Sequence, residues 1–105
     1  MQLKFKAVAS FLAFVGVCTA QIDVHSLRAK AQRGDPASQY ALAVMYENNA
    51  RNVPDWNEAA WWYRHAAEQG DVDAQRRLAW CYENGRGVNL DFDKALKWYL
   101  KAAEH

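Results

Sequence analysis

Two cysteines and three histidines are the side chains in this 105-residue sequence best suited to nucleophilic or metal chemistry. Cys81 would act as a nucleophile only with a base beside it and a third group to orient that base. Spacing supplies neither. His25, His65 and His105 stand 40 residues apart, whereas a zinc site gathers its ligands at short loop or helical spacing. No G-x-S-x-G, H-E-x-x-H, C-x-x-C or P-loop pattern occurs. Gly85-Arg86-Gly87 carries two glycines but follows no strand, which argues against a phosphate loop. No catalytic, metal-binding or cofactor-binding residue is expected.

Charge and composition narrow the class of function. The 13 Lys+Arg and 12 Asp+Glu give a net charge of +1, which excludes a polybasic nucleic-acid binder and an acidic tail. Two cysteines are too few for a disulfide scaffold. Residues 1–20 read as a signal peptide: Lys4 and Lys6 precede the uncharged stretch Ala7 to Val17, and Cys18-Thr19-Ala20 ends it with small residues. That stretch is too short for a membrane span, which needs about 20 apolar residues. Acylation of Cys18 is disfavoured by the bulky Val17 before it. Cleavage between Ala20 and Gln21 is expected, giving an exported protein, periplasmic or secreted. Two lysines leave with the leader, so 11 basic residues face 12 acidic ones in the remainder. Cys81 is then the lone thiol, expected to be buried as a small hydrophobe, with pairing to another molecule as the alternative.

The elements that carry these residues repeat. A shift of 36 residues aligns the chain with itself, giving 15 identities in the 35 pairs from Gly34 to Glu68. Among them are Gly34/Gly70, Asp35/Asp71, Gln39/Gln75, Tyr46/Tyr82, Asp55/Asp91 and Trp62-Tyr63/Trp98-Tyr99. Such a period marks a solenoid. Each unit reads as two helices. The first helices span about 36–48 and 72–84, capped by Asp35 and Asp71. The second helices follow Asp55 and Asp91, the last running to the C-terminus. Residues 24–33 read as one further second-type helix, giving five helices. Leu42, Ala43, Tyr46, Ala59, Trp62, Tyr63, Ala66 and Ala67 fall on helical stripes. The repeated aromatics Trp62, Tyr63, Trp98 and Tyr99 therefore read as core, not as a ligand cage. His65 shares a repeat position with Lys101, which suggests a solvated face.

The pattern G-D-x-x-A-Q-x-x-L-A-x-x-Y-x-x-G-x-G-V followed by D-x-x-K-A-x-x-W-Y-x-x-A-A-E resembles the Sel-1-like repeat, a relative of the tetratricopeptide repeat. Residues 70–105 carry it most fully. In residues 34–69, Asn49 and Arg51 replace the glycines at 85 and 87, so that loop is expected to take a different path, and the hydrogen bonds of the second loop are not carried over to it. The resemblance implies an all-α, short right-handed α-solenoid of antiparallel helix pairs with about two and a half repeats. The expected division is a leader (1–20), a half-repeat helix (21–33), and repeats at 34–69 and 70–105. It also implies a scaffold for protein partners and no conserved chemistry. The alternative is a small exported hydrolase of the β-lactamase-like kind described for some relatives, although the S-x-x-K such chemistry uses is missing.

In such solenoids the first helix of each pair lines the concave side. The positions between its packing residues change between units, and they point to Tyr40, Val44, Arg76, Arg77 and Trp80 as partner-binding residues, since Arg and Trp are common interface anchors. Neither nucleic acid nor a stable membrane span is expected. Lys94, Lys97 and Lys101 make one side of the last helix polar, while Leu96 and Leu100 have no following helix to meet. That open face is expected to be covered by a second copy, as a homodimer, or by a partner. For the leader, the mass of the native protein should place the first residue at Gln21. An intact Met1 or an acylated Cys18 would show an anchored protein instead.

Overall fold

The computed structural model describes residues 24–48 and 54–105. The expected leader, the start of the half-repeat helix and the centre of the first loop, residues 49–53, lie outside the described residues. Five helices follow one another: α1 over residues 24–32, α2 Pro36–Glu47, α3 Trp56–Glu68, α4 Val72–Asn84 and α5 Phe92–Ala103. Four of them begin with the same device. Asp35, Asp55, Asp71 and Asp91 each accept a hydrogen bond from the backbone N–H three residues on, which satisfies a donor left free at a helix start. Pro36 occupies the first turn of α2, where no N–H is needed. The ends differ slightly from expectation. Asn48 and Glu104 are caps, so α2 stops at Glu47 and α5 stops at Ala103.

Helices α2 and α3, α3 and α4, and α4 and α5 pack in succession. The architecture is an all-α helical repeat solenoid. Its core is narrow and rich in alanine: Ala43, Ala59, Ala66, Ala67, Ala74 and Ala79 are buried, with Leu42, Tyr63, Leu78 and Cys81 between them. Small side chains let helix axes approach, and the aromatic rings fill the remaining space. Among the described residues, no helix is long and apolar enough to cross a membrane.

Two glutamines join each unit to the helix before it. Gln39 Nε2 donates to the Ala31 carbonyl at 3.0 Å, and Gln75 Nε2 donates to the Ala67 carbonyl at 3.1 Å. These are carbonyls at helix ends, each of which also accepts the turn N–H of Gly34 or Gly70 at 3.0 Å. Gly34 and Gly70, at φ of 101° and 98°, turn the chain there. The other side of the two amides differs. Gln39 Oε1 accepts from Gln69 Nε2 at 2.8 Å, whereas the buried Gln75 Oε1 finds no donor among the described residues.

The loops close alike in both units. Asp91 N–H donates to the Tyr82 carbonyl at 2.9 Å, and Asp55 N–H donates to the Tyr46 carbonyl at 3.0 Å. This closing hydrogen bond carries over to the first loop although both glycines are replaced, because it needs only the flanking residues; the path expected to differ, through residues 49–53, lies outside the described residues.

The second loop makes one close approach. Gly87 has φ of 71°, and a Cβ there would lie 2.0 Å from the Trp56 carbonyl oxygen and 2.9 Å from Ala60 Cβ. Backbone therefore seats directly on α3. Gly70 has no atom within 4 Å of such a Cβ, so its requirement is conformational alone. Gly70→Ala should cost about 1–2 kcal/mol for the left-handed backbone. Gly87→Ala should cost about 3 kcal/mol or more, since loop or helix must also move. Urea melts of the two variants measure the difference. Equal losses would mean that the loop does not seat on α3.

Candidate partner-binding site

The five residues singled out on the first helices lie on α2 and α4, and the structure gives them different tasks. Arg76 is exposed and pairs with Asp73 one turn before it. Exposed pairs of this kind contribute about 0–1 kcal/mol, so the guanidinium stays available. Arg77, its neighbour, turns inward by the 100° that separates successive helical residues. It pairs with Glu47 on α2, and its guanidinium sits 6.0 Å from the Tyr63 ring centre and 5.6 Å from that of Trp80. The same Glu47 accepts a hydrogen bond from Tyr63 Oη at 3.2 Å.

Tyr40, Val44 and Trp80 are half-buried against the core. Tyr40 packs on Tyr63 with ring centres 5.7 Å apart and planes tilted by 53°, and Trp80 packs on Trp56 at 5.3 Å with a tilt of 38°. Tyr40, Tyr63, Arg77, Trp80 and Trp56 thus form one ladder of rings and a guanidinium across α2, α3 and α4. Such ring pairs contribute about 0.5–1.5 kcal/mol beyond their buried area. Burial holds the Tyr63 hydroxyl protonated well above its ordinary range. For Arg77, burial opposes the charge, but the Tyr63 hydroxyl and the Glu47 carboxylate outweigh it and raise its pKa.

Only Arg76 of the five is exposed, and the half-buried Trp80 stands a turn along α4 from it. The Arg77–Glu47 link spans 30 residues of sequence, which no local signal reports. The second-helix side also departs from expectation. His65 is half-buried, its ring 4.0 Å from that of Trp61, because an exposed tryptophan lies along the same helix face. Between α3 and α5 an open groove of about 650 Å³ is lined by Arg64, Tyr82, Trp98 and three lysines. The Lys94 and Lys101 amines sit over the Tyr82 and Trp98 rings at 5.5 and 5.0 Å, an example of cation–π contact. Trp98 is half-buried and Tyr99 exposed, unlike the buried Trp62 and Tyr63, since the described residues place no helix beyond α5.

The repeat geometry is shared with known proteins. Residues 36–71 and 72–105 each match the sequence pattern of the Sel1 repeat. The chain belongs to the Sel1 repeat family. Its fold is similar to the crystal structure of a Sel1 repeat protein from Oxalobacter formigenes, at 40% identity over 74% of this chain, with a TM-score of 0.71. It is also similar to c5321, a protective antigen of uropathogenic Escherichia coli strains with an SLR fold, at 38% identity over 74% of this chain and a TM-score of 0.70. The chain spans 22% and 17% of the length of those two chains. No curated protein matches it in sequence.

In this Sel1 repeat protein the one thiol among the described residues is sealed. Cys81 is fully buried between the helices and unpaired. Burial, reinforced by the nearby Glu47 charge and opposed by Arg77, pushes its pKa up from 9.0 to about 11. The thiolate, which is the nucleophile, is therefore suppressed. Among the described residues no group of three His, Cys, Asp or Glu side chains could hold a metal ion. The neutral buried thiol favours the folded state fully below about pH 9, and this contribution is lost as pH rises toward about 11. At pH 8, iodoacetamide should leave Cys81 unmodified in the native protein and label it in urea, as read by peptide mass mapping. Rapid native labelling at Cys81 would mean an accessible, reactive thiol.

Proposed function

We propose that the protein is an exported scaffold that binds a partner protein through the first-helix face of its repeats. The observation that carries this reading is an exposed Arg76 one helical turn from the half-buried Trp80, on a face braced from beneath. Tyr40, Val44 and Arg77 hold that face: their side chains are spent on packing and on the Glu47 link, so they position Arg76 and Trp80 instead of reaching outward. Preorganised anchors lose little freedom on binding, and Arg and Trp are the residues most often found at the centre of interfaces. Membership of the Sel1 repeat family supports a protein as the ligand. The signal-peptide pattern of residues 1–20 supports export. The exposed apolar side of α5 supports a second contact, with another copy of the chain or with a partner.

Capture from the native cell envelope, with the protein as bait, tests the first-helix face. Arg76→Glu should retain the melting temperature and lose at least about 90% of the captured partner, equivalent to a tenfold loss of affinity. Arg77→Ala should instead lower stability, by about 1–2 kcal/mol, because it removes the link from α4 to the half-buried Glu47, which keeps its Tyr63 partner. A folded Arg76→Glu variant that still captures the same partner would remove this face from the interface.

A further inference from the structure

The side of α5 turned away from α4 is the repeat equivalent of the α3 surface that receives α4. The 36-residue shift carries Trp56, Ala60 and Tyr63 onto Phe92, Leu96 and Tyr99, and Glu47 onto Glu83. Within the array, α4 meets its surface with a definite set of groups. Arg77 pairs with Glu47, Trp80 packs on Trp56, and Gln75 donates to the Ala67 carbonyl.

At α5 the receiving half of this arrangement is already assembled. Tyr99 Oη donates to Glu83 Oε2 at 2.9 Å, as Tyr63 does to Glu47. Neither of the two ion pairs among the described residues involves Glu83. Phe92, Leu96 and Leu100 are 64%, 58% and 56% exposed. They stand at i, i+4 and i+8 on one side of the helix, with Tyr99 and Ala103 beside them, which makes a continuous apolar stripe. An apolar stripe with a carboxylate at its margin has the chemistry of an interface.

We propose that this side of α5 is a docking surface for a helix of a partner protein, which presents an arginine to the Glu83–Tyr99 pair and an aromatic side chain to Phe92. This rests on the reading of the chain as a protein-binding scaffold. The internal joint supplies the template, so the occupant follows from charge and shape. Arginine fits better than lysine, because a planar guanidinium can reach a carboxylate and lie on a ring together, as Arg77 does. A second copy meeting α5 through its own α5 would bring Lys94, Lys97 and Lys101 and no arginine. A further repeat in the same register is disfavoured by Leu96. The Gly87 loop closes onto Ala60 so tightly that a Cβ would come within 2.9 Å, and a leucine at the equivalent position would fill that space. A separate helix has no such loop to seat.

Selection from a displayed library of helical 15-residue segments against the protein tests the proposal. Enriched segments should carry an arginine with an aromatic residue three positions on, the spacing of Arg77 and Trp80. In fluorescence anisotropy with the best of them, Glu83→Gln should weaken binding at least about tenfold and Leu96→Lys should abolish it. Arg76→Glu, on the other face, should leave it unchanged. All three positions are exposed, and thermal melts confirm that the variants fold. No enrichment, enrichment without arginine, or affinity insensitive to Glu83→Gln would overturn the proposal. Sedimentation showing a dimer that Leu96→Lys dissolves would also overturn it and give the face to a second copy. Binding lost in Arg76→Glu but kept in Leu96→Lys would overturn it while leaving the scaffold reading in place.

Discussion

A helix that ends inside an array leaves backbone carbonyls without donors, and burying them unbonded is costly. Here the turn N–H of Gly34 or Gly70 bonds one such carbonyl, and a glutamine on the following helix gives it a second donor. Gln39 reaches the Ala31 carbonyl and Gln75 the Ala67 carbonyl, both across eight residues. The side-chain amide is short, so it fixes how far the next helix stands from the end of the last and how it is turned. The rest of the packing follows from that distance. Alanines line the contact because nothing larger fits, and Leu42 and Leu78 fall at equivalent buried places. Net, each such hydrogen bond contributes about 1 kcal/mol. Its larger effect is to exclude other registers, because a slipped helix would strand a buried side-chain amide.

The repeat period, the helix pairs and their aspartate caps were legible because each depends on local chemistry. An aspartate at a helix start bonds a backbone N–H three residues away, wherever the helix later packs. Side chains whose partners lie far along the chain were not legible in this way. Arg77 reads as a candidate interface residue until Glu47, 30 residues earlier, takes it inward. His65 shares a repeat position with a solvated lysine, yet the adjacent Trp61 gives its ring a surface to stack on. Tyr63 and Tyr99 are identical by repeat and opposite in burial, because sequence position does not record what stands beyond the last helix. The first loop shows the converse. Its substituted glycines gave no ground for carrying hydrogen bonds over from the second loop, yet the closing bond belongs to Asp55 and Tyr46, which the substitutions do not touch.

Bracing and recognition divide between neighbouring residues on α4. Arg76 and Arg77 are the same residue type one position apart, and the helical turn between them decides their roles. The inner one ties α2, α3 and α4 through Glu47 and two rings. The outer one keeps only a surface pair with Asp73. A ladder of packed rings beneath a face limits how that face can bend, and this suits a surface that must meet another molecule without reorganising.

The unshared oxygen of Gln75 makes the two glutamine joints unequal. In a linear array, stability is close to a sum of intrinsic unit terms and nearest-neighbour coupling terms. Gln39 contributes both ends of its amide to coupling, one to Ala31 and one to Gln69, and so links three helices at once. Gln75 contributes one end, and its buried oxygen carries a desolvation cost of about 1–3 kcal/mol. The second joint therefore rests less on its glutamine than the first, and more on the Arg77–Glu47 pair, the Trp80–Trp56 contact and the loop that Gly87 lets down onto α3.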